Sequence, residues 1–187
     1  MTSSEATGSG FVLWLTGAPG SGKTTIAKAL RDHLRSRGVE RVEILDGDEL
    51  RASLNRDLGF SREDRDENVR RVGAVAEILA RNGIAVIVSL VSPYEDAREE
   101  VRARIPRFVL AHVDCALETR MQRDPKGHYK RAASGDLARF TGVSDPYETP
   151  RAPDVTVRTD VLDLGASVDA LREALAERGY LPTVRTA

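Results

Sequence analysis

An eight-residue glycine-rich segment, GAPGSGKT at residues 17–24, limits most strongly what this chain can fold into. It fits the pattern G-x-x-x-x-G-K-[ST] at every defined position, between an apolar run that begins at Phe11 and a stretch of helical apolar spacing from Lys23. In such a strand–loop–helix unit, backbone N–H groups and the helix N-terminus bind nucleotide phosphates. The pattern predicts a P-loop made of Gly17, Ala18, Pro19, Gly20, Ser21, Gly22, Lys23, Thr24 and Thr25.

Two side chains of this loop are expected to act on the nucleotide directly. Lys23 should reach the β- and γ-phosphates, and the hydroxyl of Thr24 should hold Mg²⁺. Kinases, GTPases and motor ATPases all use this motif. The loop therefore predicts a nucleotide site and leaves the reaction open.

The rest of the chain alternates between predicted strands and helices. Short apolar, β-branched runs predict buried strands at 11–17, 42–45, 84–91, 107–114 and 154–160. Apolar spacing of three and four residues predicts helices from 23 to about 36, from 62 to 82 and around 168–175. This order favours one three-layer α/β domain over residues 11–187, with a mostly parallel sheet of about five strands and helices on both faces. Residues 1–10 are small and polar and are predicted to form a disordered tail.

The composition excludes several classes of partner. The 28 basic and 29 acidic residues give a formal charge of −1, so no global attraction to nucleic acid or an anionic membrane is expected. The apolar runs are far shorter than the roughly 20 residues that a membrane-spanning helix needs. The single cysteine, Cys115, cannot form an intrachain disulfide, which favours a reducing cytoplasm. The three histidines are too scattered to predict a metal site, and His112 is expected inside a strand.

A pair of aspartates follows the second predicted strand in the segment LDGDELR. Asp46 and Asp48 at a strand end could enter one cleft, one touching the water shell of the metal and the other accepting a proton from an acceptor hydroxyl. The alternative is that Asp48 caps the helix beginning at that residue. One aspartate could also serve both purposes.

The segment from Leu54 to Val72 comes next, and eight of the eleven residues from Ser61 to Arg71 are charged. For most of its arginines, Arg62, Arg70 and Arg71 among them, a solvated helix face is the expected role. Arg51 and Arg65 are better candidates for binding a phosphate or sulfate on the acceptor, because guanidinium groups are always charged and planar. Phe60 is either a core anchor or a surface on which a base stacks.

The polar, glycine-interrupted segment at about 123–138 is predicted to be a mobile lid that excludes water during transfer. Its basic residues Lys126, Lys130 and Arg131 are candidates for contacting nucleotide phosphates. The alternative is an ordinary exposed loop.

Several of these segments, in this order, resemble the adenylylsulfate (APS) kinase family. They are GAPGSGKTTIA, LDGDELRASLNRDLGFSREDRDENVRRV, VSPYEDAREEVR and RDPKGHYKRAASGDLARFTGVSDPYETP, and the resemblance extends from about residue 11 to about residue 160. It implies an enzyme of P-loop kinase fold that transfers the γ-phosphoryl group of ATP, with Mg²⁺, to the 3′-hydroxyl of adenosine 5′-phosphosulfate. The products are PAPS and ADP.

The resemblance also implies roles for individual residues. Asp48 would assist the acceptor hydroxyl and Asp46 would lie near the metal. The phosphosulfate would be held by Arg51, Arg65 and Asn68, and its adenine would stack between Phe60 and Phe140. Ser92 aligns with a family position described as a phosphoserine intermediate. No evident base lies beside it in the sequence, which favours direct in-line transfer instead.

The chain departs from the usual family pattern at a few positions. Ala18-Pro19 stands where Leu-Ser is usual in the P-loop, and Ala133 stands at a lid position that is often arginine. These departures leave open an APS-kinase-like enzyme acting on another nucleotide-like or sugar hydroxyl. Because family members often form dimers and also occur fused to sulfurylase domains, a homodimer and an association with a sulfurylase are both open.

Overall fold

A five-stranded sheet forms the centre of the computed structural model, which describes residues 10–124, 127–133 and 140–181. The strands are β1 (Phe11–Thr16), β2 (Val42–Asp46), β3 (Ala85–Ser89), β4 (Phe108–Asp114) and β5 (Val155–Arg158). They lie in the order β2-β3-β1-β4-β5, and every neighbouring pair is parallel. The predicted α/β fold with a parallel sheet is confirmed, and the sheet is parallel throughout.

Seven helices are present in the described part of the chain. They are α1 (Lys23–Ser36), α2 (Gly47–Ala52), α3 (Arg62–Arg81), α4 (Glu95–Arg104), α5 (Leu117–Arg123), α6 (His128–Ala133) and α7 (Leu164–Glu177). The apolar spacing had predicted α1, α3 and α7. It had not predicted α4, because seven of its ten residues are charged and only one narrow face of the helix is buried. None of the helices described is long and apolar enough to cross a membrane.

Two apolar clusters fill the space between the sheet and the helices. Along β1, Leu13 and Leu15 face the cluster that contains Leu30 of α1 and Leu171 of α7. The alternate residues of β1 face the cluster formed with α3 and α4. A central parallel strand that is buried on both faces needs apolar residues at every position, which explains the continuous run from Phe11 to Leu15. The three-layer arrangement is therefore confirmed.

The carboxyl ends of three strands meet at one edge of the sheet. Asp46 at the end of β2 lies beside Ser89 at the end of β3, and Ser89 lies beside Leu15 of β1. The P-loop leaves β1 at this same edge. Ligands of open α/β sheets bind outside the carboxyl ends of the strands, so the topology directs attention here.

Several boundaries differ from those predicted by one or two residues, and two of these differences have a clear physical reason. The predicted strand at 84–91 ends at Ser89, where the chain turns. Beyond the strand, the hydroxyl of Thr16 donates a hydrogen bond to the carbonyl oxygen of Val91 at 2.8 Å. Gly10, placed in the predicted tail, is buried, and a Cβ there would lie 2.3 Å from the carbonyl oxygen of Ala80. Residues 1–9 of that tail lie outside the described part.

Candidate active site

A cavity of about 840 Å³ opens at the carboxyl edge of the sheet. The P-loop forms one side of it, and α2, the start of α3 and the turn after β3 form the other. The predicted site residues that line it are Pro19, Gly20, Gly22, Lys23, Thr24, Thr25, Asp46, Asp48, Arg51, Phe60, Arg65, Asn68, Ser92 and Phe140. Residues from six separate segments of the chain are thus brought together in one space.

The P-loop has the backbone geometry that its glycines predicted. Gly22 has a φ of 96° and caps α1, a conformation that is costly for any residue with a Cβ. A Cβ on Gly17 would lie 2.3 Å from the carbonyl oxygen of Val113 on the neighbouring strand. The loop can therefore wrap closely around the start of α1, where backbone N–H groups are available to an anion.

The Lys23 side chain folds back over the P-loop. It is buried, and Nζ donates hydrogen bonds to the carbonyl oxygens of Gly17 at 2.7 Å and Ala18 at 3.0 Å, with Ser21 Oγ at 3.3 Å. A nucleotide phosphate must compete with these acceptors for the ammonium group. The predicted reach to the β- and γ-phosphates thus requires Lys23 to change partners when nucleotide binds.

Thr24 and Asp46 form the oxygen cluster expected of a magnesium site. Thr24 Oγ1 donates to Asp46 Oδ2 at 2.7 Å and lies 3.2 Å from Ser89 Oγ. Mg²⁺ is held in proteins by one or two carboxylates or hydroxyls, with water and substrate phosphates completing its octahedron. The donor set fits this ion, although the described residues contain no cluster of three metal-binding side chains.

The two aspartates have different surroundings. Asp46, not Asp48, caps α2: its Oδ1 accepts the backbone N–H of Asp48 at 3.0 Å. The alternative in which Asp48 caps the helix is wrong, because α2 begins one residue earlier than the sequence suggested, at Gly47. Asp48 is exposed in the first turn and lines the cavity, where its carboxylate can meet a substrate.

The aromatic ring of Phe60 lies near two guanidinium groups and lines the cavity. The Cζ atom of Arg51 lies 4.5 Å from the ring centroid of Phe60, and that of Arg65 lies 5.6 Å from it. Arg51 Nη1 also donates to the carbonyl oxygen of Gly59 at 3.0 Å, and Arg65 Nε donates to that of Phe60 at 3.1 Å. Burial and the nearby charge of Arg65 lower the pKa of Arg51.

Phe60 is 56% exposed. It is not a core anchor, so of the two alternatives from the sequence the stacking surface remains. Its exposed ring lines the cavity close to two cations, which suits contact with an anionic, aromatic ligand.

Asn68 lies one turn beyond Arg65 on the buried face of α3. Its Oδ1 accepts a hydrogen bond from Nδ2 of the fully buried Asn55 at 2.8 Å. Arg70 and Arg71, by contrast, pair with surface carboxylates, at 2.9 Å to Glu100 and 2.8 Å to Asp57, which is the solvated role expected of them.

The described part of the lid packs on the P-loop. Tyr129 of α6 is 4% exposed, and its hydroxyl donates to the carbonyl oxygen of Pro19 at 2.7 Å while accepting from Arg120 Nη1 at 3.0 Å. The ring of Phe140 meets that of Tyr129 edge to face, with centroids 4.9 Å apart. Tyr129 lines the cavity but was missed from the sequence. The only signal was an aromatic within a basic, polar segment.

The basic lid residues differ in position. Arg131 lines the cavity, whereas Lys130 is exposed outside it. Lys126 and the side chain of Ala133 lie outside what the structure describes. Their predicted contacts remain predictions.

A second cavity of about 500 Å³ is lined by Ala18, His112 and Tyr147, among other residues. The ring of His112 there stacks on that of Tyr147 at a centroid distance of 6.1 Å. Burial lowers the pKa of His112, and burial raises the pKa of Tyr147 to about 12. The strand position predicted for His112 is correct.

Comparisons with known proteins find similar sequences and solved structures over most of the chain. The family profile described as adenylylsulphate kinase matches residues 9–158. An adenylyl-sulfate kinase of Myxococcus xanthus is 52% identical over 183 residues, 95% of this chain and 97% of that protein. A probable bifunctional SAT/APS kinase of Sorangium cellulosum is 47% identical over 93% of this chain and 30% of that protein. A solved Mycobacterium tuberculosis APS kinase in complex with AMPPNP and APS superposes with a TM-score of 0.85 at 37% identity, covering 89% of this chain and 98% of that one.

Proposed function

The chain belongs to the adenylylsulfate kinase family, and we propose that its 840 Å³ cavity transfers the γ-phosphoryl group of ATP to the 3′-hydroxyl of adenosine 5′-phosphosulfate (APS), giving PAPS and ADP. One observation carries the proposal: a phosphate-binding loop and an arginine-flanked aromatic ring line the same cavity, with the carboxylate of Asp48 among the residues that line it. The cavity can therefore hold a donor and a nucleotide-like acceptor together.

The donor side is the P-loop and the start of α1. Backbone N–H groups of residues 20–25 would bind the phosphates, and Lys23 Nζ would leave the carbonyl oxygens of Gly17 and Ala18 for phosphate oxygens. Thr24 and Asp46 would hold Mg²⁺. When bound, the ion would neutralise charge on the phosphates and fix their orientation.

The acceptor side is built on α2 and α3. Arg51, Arg65 and Asn68 would hold the phosphosulfate, because guanidinium groups and an amide offer several donors to its oxygens. Phe60 would stack on one face of the adenine and Phe140 on the other. Both rings line the cavity, and stacking of this kind accepts any aromatic base.

Asp48 is proposed to accept the proton of the 3′-hydroxyl while the 3′-oxygen of APS attacks the γ-phosphorus. The bond between the γ-phosphorus and the β,γ-bridging oxygen then breaks, and ADP leaves with that oxygen. Ser92 fits poorly as an intermediate carrier of the phosphoryl group. Its side chain is 2% exposed, and its Oγ accepts the indole N–H of Trp14 at 3.0 Å. Direct transfer predicts that acid-quenched protein from a single turnover with labelled ATP carries no label.

The lid would close the site against water. Tyr129 connects α6 to the P-loop through Pro19, and its ring supports Phe140 on the acceptor side. Exclusion of water favours transfer to the acceptor over hydrolysis of ATP. Arg131, and the predicted Lys126 and Lys130, would add positive charge near the phosphates.

We also infer a reducing compartment, the cytoplasm, since the single cysteine is free and buried. The homodimer expected from the resemblance stays a prediction that light scattering can test. Association with a separate sulfurylase is a further proposal. The Sorangium protein, in which the matching region is 30% of the length, supports testing it by co-purification.

The test is ADP release with a panel of acceptors that includes APS, gluconate and plain nucleosides. We expect Mg²⁺- and ATP-dependent ADP release that requires APS. ADP release at the same rate without APS contradicts the proposal. Faster release with another hydroxyl acceptor would favour the alternative substrate instead.

A further inference from the structure

The turn after β3, residues Val91–Pro93, has an unusual backbone. Ser92 has a φ of 38°, which lies in the left-handed region that non-glycine residues rarely adopt. Such a conformation persists only where its surroundings hold it, and it is commonest at functional sites. All three residues of this turn line the large cavity, which Phe60 and Arg65 also line. We call this segment the Ser92 turn.

A buried arginine on α4 holds the Ser92 turn from behind. The Arg98 side chain is fully buried, and its Nη1 donates to the carbonyl oxygen of Ser92 at 2.6 Å. Its Nη2 donates to the carbonyl oxygen of Glu148 at 2.7 Å and pairs with the carboxylate of Glu95. One guanidinium therefore ties together the turn, α4 and the segment at 148.

Further contacts leave the Ser92 turn little freedom. Thr16 Oγ1 donates to the carbonyl oxygen of Val91 at 2.8 Å, and Trp14 Nε1 donates to Ser92 Oγ at 3.0 Å. Both donors belong to β1, which continues into the P-loop. Arg98 is the charged donor among these contacts, and its loss would remove the guanidinium that fixes the carbonyl oxygen of Ser92.

We propose that Arg98 is a positioning residue for the acceptor, which sets the affinity for APS by fixing the Ser92 turn without touching the substrate. Arg98 itself does not line the cavity. The inference rests on the proposed function for the identity of the acceptor. It predicts a defect mainly in the acceptor, because the partners of this guanidinium are Ser92, Glu95 and Glu148, and none of them belongs to the P-loop or α1.

The same helix offers a matched control. Arg102, one turn further along α4, donates to the carbonyl oxygen of Ala152 at 2.8 Å and pairs with Asp154 at 3.0 Å. It thus ties α4 to the same following segment, as Arg98 does at Glu148, but it makes no contact with the Ser92 turn. A role that is only structural would change the KM values for APS and ATP together, whichever arginine is replaced.

The chain also contains an intrinsic fluorescent reporter beside the Ser92 turn. Trp14 is its single tryptophan, is fully buried and is hydrogen-bonded to Ser92. Its fluorescence emission therefore reports the surroundings of the Ser92 turn with no added label. A change in emission separates movement of the turn from a general loss of stability.

The experiment compares Arg98→Met, Arg98→Lys and Arg102→Met with the native chain. We expect both Arg98 variants to raise KM for APS by about tenfold or more, with KM for ATP within about twofold, since small displacements of binding groups are costly. We expect their Trp14 emission to shift in the folded state. Arg102→Met should leave both KM values and the emission unchanged. Arg98→Lys keeps a charge beside Glu95, so it preserves the test if Arg98→Met does not fold.

Two results would overturn the inference. One is an unchanged KM for APS in folded Arg98→Lys, and the other is an equal rise in both KM values in the Arg98 and Arg102 variants. If the native chain phosphorylates another acceptor, the proposed function fails while the KM for that acceptor and the Trp14 emission still test Arg98. The two failures are thus distinguishable.

Discussion

At the scale of single residues, two aspartates only two positions apart have different surroundings. Asp46 is buried, and its carboxylate caps α2 and accepts a hydrogen bond from the hydroxyl of Thr24. Both of its oxygens therefore already have a partner within the protein. Asp48 faces the cavity from the first turn of α2. Asp48 can therefore approach an acceptor hydroxyl without breaking the hydrogen bond that caps α2, whereas Asp46 cannot.

Changing Asp48 to asparagine should abolish the proton transfer while leaving the donor side intact. We expect kcat to fall by about 10²–10⁴-fold, the usual contribution of a general base, with little change in ATP affinity. Stopped-time assays of PAPS and calorimetry with a non-hydrolysable ATP analogue measure the two quantities. Asp57→Asn, at an exposed carboxylate paired with Arg71, is the control. Native kcat in Asp48→Asn would exclude the role.

Replacing Phe60 by alanine should weaken acceptor binding alone. Loss of one base–aromatic stack costs about 1–3 kcal/mol, so KM for APS should rise roughly 5- to 150-fold with KM for ATP unchanged. The control is Ile78→Ala, which removes another exposed apolar side chain, 47% accessible, from the outer part of α3. Equal KM values for APS in Phe60→Ala and the native chain would refute the stacking role.

The residues that the sequence predicted share a local signal, and those that it missed do not. The P-loop and the paired aspartates are short motifs beside predicted strands. Arg98 and Tyr129 act through contacts 50 and 110 positions away, respectively, with Glu148 and Pro19. Their sequence neighbourhoods show only charge or polarity. Nothing in the sequence around Arg98 reveals that this arginine, unlike its charged neighbours, is buried.

At the scale of elements, the close packing of α3 on α4 supports both the acceptor residues and Arg98. A Cβ on Gly73 of α3 would lie 2.6 Å from Val101 Cγ2 on α4. The branched valine cannot withdraw easily from a buried position, so the glycine permits this approach of the two helices. The element that carries Arg65 and the element that carries Arg98 are thereby fixed together.

Gly73→Ala should destabilise the fold by overpacking this contact. We expect the free energy of unfolding to fall by about 1–3 kcal/mol in urea titrations. Gly165→Ala on α7 is the matched control, since its Cβ would meet only an aspartate oxygen at 3.4 Å. That variant should be neutral or gain about 0.4–1 kcal/mol, because alanine restricts the unfolded chain. A neutral Gly73→Ala would show that the helices can separate freely.

The elements that were predicted well are those with a strong apolar period. Strands buried on both faces and the amphipathic α1 and α3 have such a signal, and α3 adds a capping box at Ser61. The short helices α5 and α6 contain seven and six residues, too few for a period to emerge, and α5 buries none of its residues. Tertiary contacts with the P-loop, which the sequence cannot show, define them.

At the scale of the whole molecule, the fold should lose stability under mild acid through His112. Burial lowers the pKa of His112 below 6.5, and nearby Arg98 and Lys23 act in the same direction against Asp114. A depressed pKa means that the folded state favours the neutral ring. The contribution of His112 to the free energy of unfolding is therefore complete above pH 6.5, and it is lost as the pH falls through the folded-state pKa.

His112→Gln should remove this dependence. Between about pH 7.5 and 5.5 we expect the free energy of unfolding of the native chain to fall more steeply than that of the variant. Carboxylates titrate mostly below this window, so histidine dominates the difference. Urea unfolding at several pH values measures it. Parallel curves for the two chains would contradict the assignment.

The arrangement of the whole chain places donor and acceptor sites on one sheet edge, and that arrangement was predictable in outline. The alternation of strands and helices predicted a parallel sheet, and parallel strands place their carboxyl ends together. The strand order, which puts β3 between β1 and β2, was not predictable from local pattern. It is this order that sets Ser89 between the P-loop and Asp46.

The central claim is that one cavity carries a phosphoryl group from ATP to the 3′-hydroxyl of APS. The most direct test follows ATP labelled at the γ-phosphorus through one turnover with APS and Mg²⁺, with the product identified by ³¹P NMR and mass spectrometry. The account predicts one labelled PAPS, phosphorylated at the 3′ position, for each ADP formed. ADP formed with the label only in inorganic phosphate, or on another position, would contradict it.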